Sequence, residues 1–187
     1  MNEDLTKAAE ILLHGGVILY PTDTIWGLGC DATNPEAVKR IYTIKHRSDI
    51  KSMLVLLDTE VRLQQYIKEV PEIAWELLDV ADKPMTIIYP GAKNLAANLI
   101  AENGSIGIRI VKDEFCHKLI GKIRKPLVST SANISGKLPP GLFHEIAEEI
   151  ILSVDYVVKW KQDETVPGQP SSIIELGPGG QVKIIRP

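Results

Sequence analysis

Short apolar runs, each cut off by proline or glycine, alternate along this chain with one-faced helical patterns, and that alternation restricts it to the α/β folds. Leu5, Ala8, Ala9, Leu12 and Leu13 share one helical face that ends at Gly15-Gly16. Val17-Ile18-Leu19-Tyr20 then reads as a buried strand stopped by Pro21. Asn34-Pro35-Glu36 has the make-up of a helix start: a capping side chain, a proline at the first helical position and an acid at the positive end of the dipole. Val38, Ile41, Tyr42 and Lys45 line one face of that helix. Strand patterns recur at residues 53–57, 85–89, 105–111, 126–129, 154–158, 171–176 and 182–185. Helical patterns fall at 61–67, 73–80 and 113–120, the last with Gly121 as its C-cap, and in a stripe of Phe143, Ile146, Ala147 and Ile150. No repeat or linker divides the chain, so residues 1–187 form a single α/β domain with a mixed sheet.

The stretch between the first strand and the Asn34 cap is too long for a simple turn. Pro21-Thr22-Asp23-Thr24-Ile25-Trp26-Gly27-Leu28-Gly29-Cys30-Asp31 combines hydroxyls, carboxylates and two glycines, which suits a loop whose main chain approaches a small polar ligand. A second strand end opens onto Ser129-Thr130-Ser131-Ala132-Asn133-Ile134-Ser135-Gly136, and ligands of α/β sheets bind beyond such ends. Taken alone, that string also fits a network of turns. Lys45-His46-Arg47 ends the helix after the glycines, with Lys45 continuing the apolar stripe; the two cations suit an anion, although cations favour helix C-termini anyway. Pro167-Gly168-Gln169-Pro170-Ser171-Ser172 leads into a late strand, and the polar segment 161–170 is a surface loop able to cover a site.

Several chemistries are missing from the pattern. The chain has no Walker-type loop, no Gly-x-Gly-x-x-Gly after a strand, no metal-spaced His/Cys cluster and no nucleophile elbow. Hydroxyls, amides and cations without a nucleophile suit alignment of a polyphosphate with a small polar substrate, not covalent catalysis. A net charge of −3 argues against a generally basic nucleic-acid binder. Two widely spaced cysteines point to a reducing compartment, and the acidic N-terminus is no signal peptide. No apolar run approaches a membrane span, so the expected location is the cytoplasm.

Pro21-Thr22-Asp23-Thr24 with Gly27-Leu28-Gly29, Lys45-x-Arg47, Ser129-Thr130-Ser131-Ala132-Asn133-x-Ser135-Gly136 and Gly168-x-Pro170-Ser171-Ser172-Ile173-Ile174 together resemble the YrdC-like threonylcarbamoyl-AMP synthases, in order and over nearly the whole chain. The resemblance implies a twisted, largely parallel YrdC/RibB-like sheet with flanking helices around a concave cavity. It implies a nucleotidyltransferase that makes threonylcarbamoyl-AMP and pyrophosphate from L-threonine, bicarbonate and ATP, with Mg²⁺. The product would serve t6A modification of ANN-decoding tRNAs through a tRNA threonylcarbamoyltransferase complex, with weak or no direct binding of tRNA or double-stranded RNA.

By the same resemblance Lys45 and Arg47 are the catalytic cations, completing a phosphate-binding set with Ser131 and Asn133. Thr22, Thr24, Thr86 and Arg109 hold threonine, with Arg109 on its carboxylate, and Ser171 and Arg186 lie on the nucleotide side. Trp26, Ser48 and Ser172 depart from the family's usual Tyr, Pro and Thr, and the second domain of longer members is absent from this sequence. Two other readings keep the fold: a double-stranded RNA or ribosome-precursor binding module using the same basic cavity, and a carbamate-adenylating relative acting for a partner.

Overall fold

The computed structural model describes residues 1–46, 53–177 and 180–187. Its strands are β1 (Ile18–Tyr20), β2 (Gly27–Gly29), β3 (Leu54–Leu57), β4 (Met85–Tyr89), β5 (Ile106–Ile110), β6 (Leu127–Ser131), β7 (Tyr156–Val157), β8 (Ser172–Leu176) and β9 (Val182–Arg186). They form one sheet in the order β7-β1-β2-β6-β3-β5-β4-β8-β9. The helices are α1 (Asn2–Leu13), α2 (Pro35–Ile44), α3 (Leu63–Tyr66), α4 (Glu72–Val80), α5 (Glu114–Ile123) and α6 (Glu148–Ser153).

Alternation along the strands separates two cores. Ile18 and Tyr20 of β1, Leu56 of β3 and Leu127 of β6 pack with α1 and α5 through Leu5, Leu12, Phe115 and Leu119. Their neighbours Leu19, Val55, Leu57 and Val128 pack on the opposite face with Val38 and Ile41 of α2 and Ala74 of α4. Register then decides what else shares the α1–α5 face, because residues directly opposite one another point the same way. Leu56 lies opposite Arg109, Leu54 opposite Ser129, Thr86 opposite Ile173 and Gly27 opposite Ser131. Residues 53 to 104 positions apart thereby meet on one side of the sheet.

The sheet is mixed, as expected, but its balance is not the largely parallel one. Among the described residues β1–β7, β3–β5 and β4–β8 are parallel, and the other five neighbouring pairs are antiparallel. For two of these pairs the reason is local: the connections β1–β2 and β8–β9 are too short for the crossover that a parallel pair requires.

Three local expectations change. The Gly27-Leu28-Gly29 segment is strand β2, paired on both edges, and not loop. A Cβ on Gly29 would stand 2.5 Å from Tyr20 Cε1 and 2.9 Å from the Val128 carbonyl oxygen, so this glycine makes room for the tyrosine ring rather than for a ligand. Gly121 lies inside α5, which is closed by Arg124 in the left-handed region with φ 55°. The 143–150 stripe is a 3₁₀ turn at Phe143–Glu145 followed by α6, because Ile146 and Ala147 are extended.

Candidate functional site

A cavity of about 330 Å³ opens on the face of the sheet that carries Arg109 and Ser131. Thr24 of the β1–β2 loop, Lys45 at the end of α2 and Arg109 of β5 line it. Ser131 and Asn133 enter from the end of β6, Ser171 from the start of β8 and Arg186 from β9. Thr22 and Thr86 stand one hydrogen bond behind this wall, and Arg47 lies outside the described residues.

The loop after β1 turns on its two threonines. Thr22 Oγ1 donates to the Ile25 carbonyl at 2.8 Å and accepts from the Thr24 N–H at 3.0 Å. The two hydroxyl oxygens are 2.8 Å apart. A hydroxyl carries one proton, and that of Thr22 goes to Ile25, so the Thr24 hydroxyl donates to Thr22. Thr24 Oγ1 is left with lone pairs, an arrangement that receives an N–H or O–H of a ligand.

Lys45 is 2% exposed, as its place on the apolar stripe foretold. Burying an ammonium without partners costs several kcal/mol, on the order set by its lost hydration. Here the Nζ donates to the Ser131 carbonyl at 2.5 Å, the Asn133 carbonyl at 2.7 Å and Asn133 Oδ1 at 3.2 Å. Asn133 Oδ1 also accepts from Ser131 Oγ at 2.5 Å, while its Nδ2 donates to the Lys137 carbonyl. The helix end returns the grip, because the Lys45 carbonyl accepts from the Ser135 N–H at 3.0 Å. Lys45 therefore brings a positive charge to the cavity and also folds the loop that presents Ser131 and Asn133.

Arg109 is 3% exposed, and its Nη2 lies 3.0 Å from Asp23 Oδ1. Opposite it, Ser171 Oγ is 2.8 Å from Thr86 Oγ1, and the Ser171 carbonyl accepts from Arg186 Nε at 2.8 Å. Desolvation, and then the charge of Arg109, push the Arg186 guanidinium below its ordinary pKa. Two guanidiniums thus line a common space, and the charge of Arg109 works against that of Arg186. Burial raises the Asp23 pKa, while the Arg109 charge opposes the rise.

Several lining residues fall outside the expected set: Trp26, Ser129, Thr130, Ser135, Pro139 and Ile173. Trp26 packs against Phe143 with ring centroids 4.9 Å apart. Ser129, Thr130 and Ser135 sit in the hydroxyl string whose density was legible, whereas Pro139 and Ile173 carry no signal of their own. The 161–170 segment does pack on the site loop: a Cβ on Gly168 would fall 1.6 Å from the Thr24 carbonyl oxygen. That approach is open to glycine alone.

Among the described residues the lining holds the cations Lys45, Arg109 and Arg186, six hydroxyl side chains, and no carboxylate, histidine or cysteine. Such a wall attracts and orients anions; it offers no nucleophile or general base of its own. Fold and site together define an α/β domain built to bind an anionic substrate over one face of a mixed sheet.

The family model for the Sua5/YciO/YrdC domain, described as telomere recombination, matches residues 10–187. The chain belongs to that family. It is 33% identical over 180 residues to a threonylcarbamoyl-AMP synthase of Pseudoalteromonas translucida (strain TAC 125), covering 92% of this chain and 94% of the relative. A doubly substituted Sua5 of P. abyssi superposes with a TM-score of 0.88 at 28% identity, covering 98% of this chain and 56% of that one. The same P. abyssi protein in complex with L-threonine matches with a TM-score of 0.84 at 26% identity, over 98% of this chain and 53% of that one. The chain thus spans little more than half the length of the P. abyssi protein.

Proposed function

We propose that this chain is a threonylcarbamoyl-AMP synthase, a nucleotidyltransferase that joins L-threonine, bicarbonate and ATP with release of pyrophosphate. One observation carries the reading: a hydroxyl acceptor, Thr24, buried Arg109 and the Lys45-Ser131-Asn133 cluster line one small cavity. Relatives with the same fold carry that name or hold L-threonine. A nucleic-acid duplex, the rival reading, does not fit a cavity of about 330 Å³.

In this reading Thr24 Oγ1 accepts from the amine or hydroxyl of threonine while Arg109 faces its carboxylate. The neutral amine attacks the carbon of bicarbonate; its proton and the bicarbonate hydroxyl leave as water, giving the N-carboxylate. One carboxylate oxygen attacks the α-phosphorus of ATP, the bond to the bridging oxygen breaks, and pyrophosphate leaves with the electron pair. Lys45, Arg186 and Arg47 offset the negative charge that gathers on the phosphates; Ser131, Asn133 and Ser171 align them, and Thr22 and Thr86 brace the walls. Positioning of this kind lowers a barrier by about 7–11 kcal/mol. Mg²⁺ would come as part of the ATP substrate and would supply positive charge beside Lys45, Arg47 and Arg186; separately, among the described residues no group of three His, Cys, Asp or Glu side chains could hold a metal ion.

The product carries a reactive mixed anhydride, so its consumer is a threonylcarbamoyl transferase acting on tRNA, in the cytoplasm. No helix among the described residues is long and apolar enough to cross a membrane. The test is pyrophosphate release with ATP, bicarbonate and Mg²⁺ in the presence of L-threonine, L-serine or no amino acid, with mass spectrometry of the adenylate. Release that needs both threonine and bicarbonate, with the mass of threonylcarbamoyl-AMP, is expected. Release that ignores the amino acid, or none at all, overturns the reading.

A further inference from the structure

Behind the cavity wall stands a carboxylate that the reaction above leaves unused. Asp23 lies between Thr22 and Thr24 but is not part of the cavity lining; it borders two neighbouring grooves, one with Glu60, Trp75, Leu78 and Lys112, the other with Thr24, Lys161 and Gly168. From there it reaches Arg109: Asp23 Oδ1 and Arg109 Nη2 are 3.0 Å apart, with the side chains 11% and 3% exposed. The pair is not closed on itself. Arg109 Nε is buried without a hydrogen-bond partner among the described residues, and Asp23 Oδ1 makes an ion pair that is off hydrogen-bond alignment.

Those facts belong together. A guanidinium is a planar fork on a long flexible stem, and its hydrogen bonds are directional. Gripping one terminal nitrogen from outside the cavity removes most of the stem's freedom and leaves other N–H groups for a ligand. A buried ion pair kept only for stability is easily replaced by apolar packing, and a misaligned one with an unpartnered N–H is a poor stabiliser. Adjacency adds a second constraint. The residue that holds Arg109 is bonded directly to Thr24, whose hydroxyl faces the same ligand, so one short loop sets the spacing between both groups.

We propose that Asp23 is a positioning residue: it holds the Arg109 guanidinium in the orientation that receives the carboxylate of the amino-acid substrate, and so governs use of that substrate and not of ATP. The inference rests on the synthase reading and deepens it. Asp23 also offsets the Arg109 charge, so that the subsite favours a zwitterion with a carboxylate at one end over a bare anion.

The experiment is a double-mutant cycle on the full chain with Asp23→Ala, Asp23→Asn, Arg109→Ala and Asp23→Ala/Arg109→Ala, read by pyrophosphate release and by calorimetric titration with L-threonine. Asp23→Ala is expected to lower kcat/KM for L-threonine about 100-fold, the cost of a misplaced substrate, and to leave the KM for ATP unchanged. In the Arg109→Ala background it should cost nothing further. Asp23→Asn keeps the shape and serves if the alanine variant fails to fold; a partial recovery is expected of it. Unchanged threonine kinetics in both Asp23 variants, additive losses in the double variant, or equal loss of threonine and ATP use each overturn the inference. A wild-type chain that binds L-threonine in an Asp23-dependent way but releases no pyrophosphate removes the synthase reading and keeps this one. A chain that neither binds threonine nor releases pyrophosphate removes both.

Discussion

The Lys45 ammonium is held by both oxygens of Asn133, the carbonyl at 2.7 Å and the amide at 3.2 Å. The cation that the sequence marks for phosphate is thus also the peg of the loop that carries its own partners. Lys45→Met keeps the stem volume and removes three donated hydrogen bonds from half-buried oxygens. Stability should fall by about 1.5–3 kcal/mol, the range for hydrogen bonds to a charged group, and pyrophosphate release by at least about 100-fold. Urea denaturation and the pyrophosphate assay check it; a stable but inactive variant would assign Lys45 to phosphate alone.

The pairing of β4 with β8 sets Thr86 and Ser171 hydroxyl to hydroxyl. Thr86→Val removes one hydrogen bond without changing shape, at a cost of about 1 kcal/mol. Turnover should fall mildly, with its effect in the KM for substrate, because Ser171 stays in the cavity. A loss as large as that of Lys45→Met would place Thr86 in direct contact with substrate.

Gly29 and Gly168 face different obstacles and should fail differently. Gly29→Ala drives a methyl into Tyr20 and the Val128 carbonyl, and is expected to destabilise the domain by about 1–3 kcal/mol. Gly168→Ala meets the Thr24 carbonyl oxygen, so the 161–170 strap must lift from the site loop. Thermal melting should detect the first; faster proteolysis of the strap, with weakened turnover at a nearly unchanged Tm, should detect the second.

Asp155 ties the end of α6 to α2 and β1, accepting two hydrogen bonds from Arg40, at 2.7 and 3.1 Å, and one from the Val17 N–H at 2.7 Å. The Arg40 hydrogen bond, aided by that of Val17, holds its carboxyl below the ordinary value of 3.8 against the opposing effect of burial. A pKa depressed on folding contributes stability that is present above 3.8 and lost as pH falls through the folded value. Melting temperatures of wild type and Asp155→Asn should therefore differ at neutral pH and converge in acid below that range. A gap that persists at low pH would assign the contact no charge-linked stability.

Both cysteines are buried, and burial pushes both thiols upward, Cys116 further by the nearby Asp113. Neither should react with a thiol reagent in the native state, and both should do so at once in denaturant. Rapid native labelling of Cys116 would show that α5 opens.

What the sequence by itself determined was local and periodic. The apolar runs announced most of the strands, the Asn34-Pro35-Glu36 cap announced α2, and the alternation at Ile106–Ile110 put Arg109 opposite its apolar neighbours. Lys45 on an apolar stripe announced a buried cation, and the hydroxyl string that ends β6 lines the cavity. Each of these is written in neighbouring residues, where helix and strand periods act. Tertiary structure decided the rest. Only the register of β3, β5 and β6 puts Leu54, Arg109 and Ser129 on one face, and the order of strands made the sheet more antiparallel than the alternation suggested. Gly29 proved to be a partner of Tyr20, and Asp23 a partner of Arg109, 86 positions away, because contact across a sheet depends on pairing and not on distance along the chain.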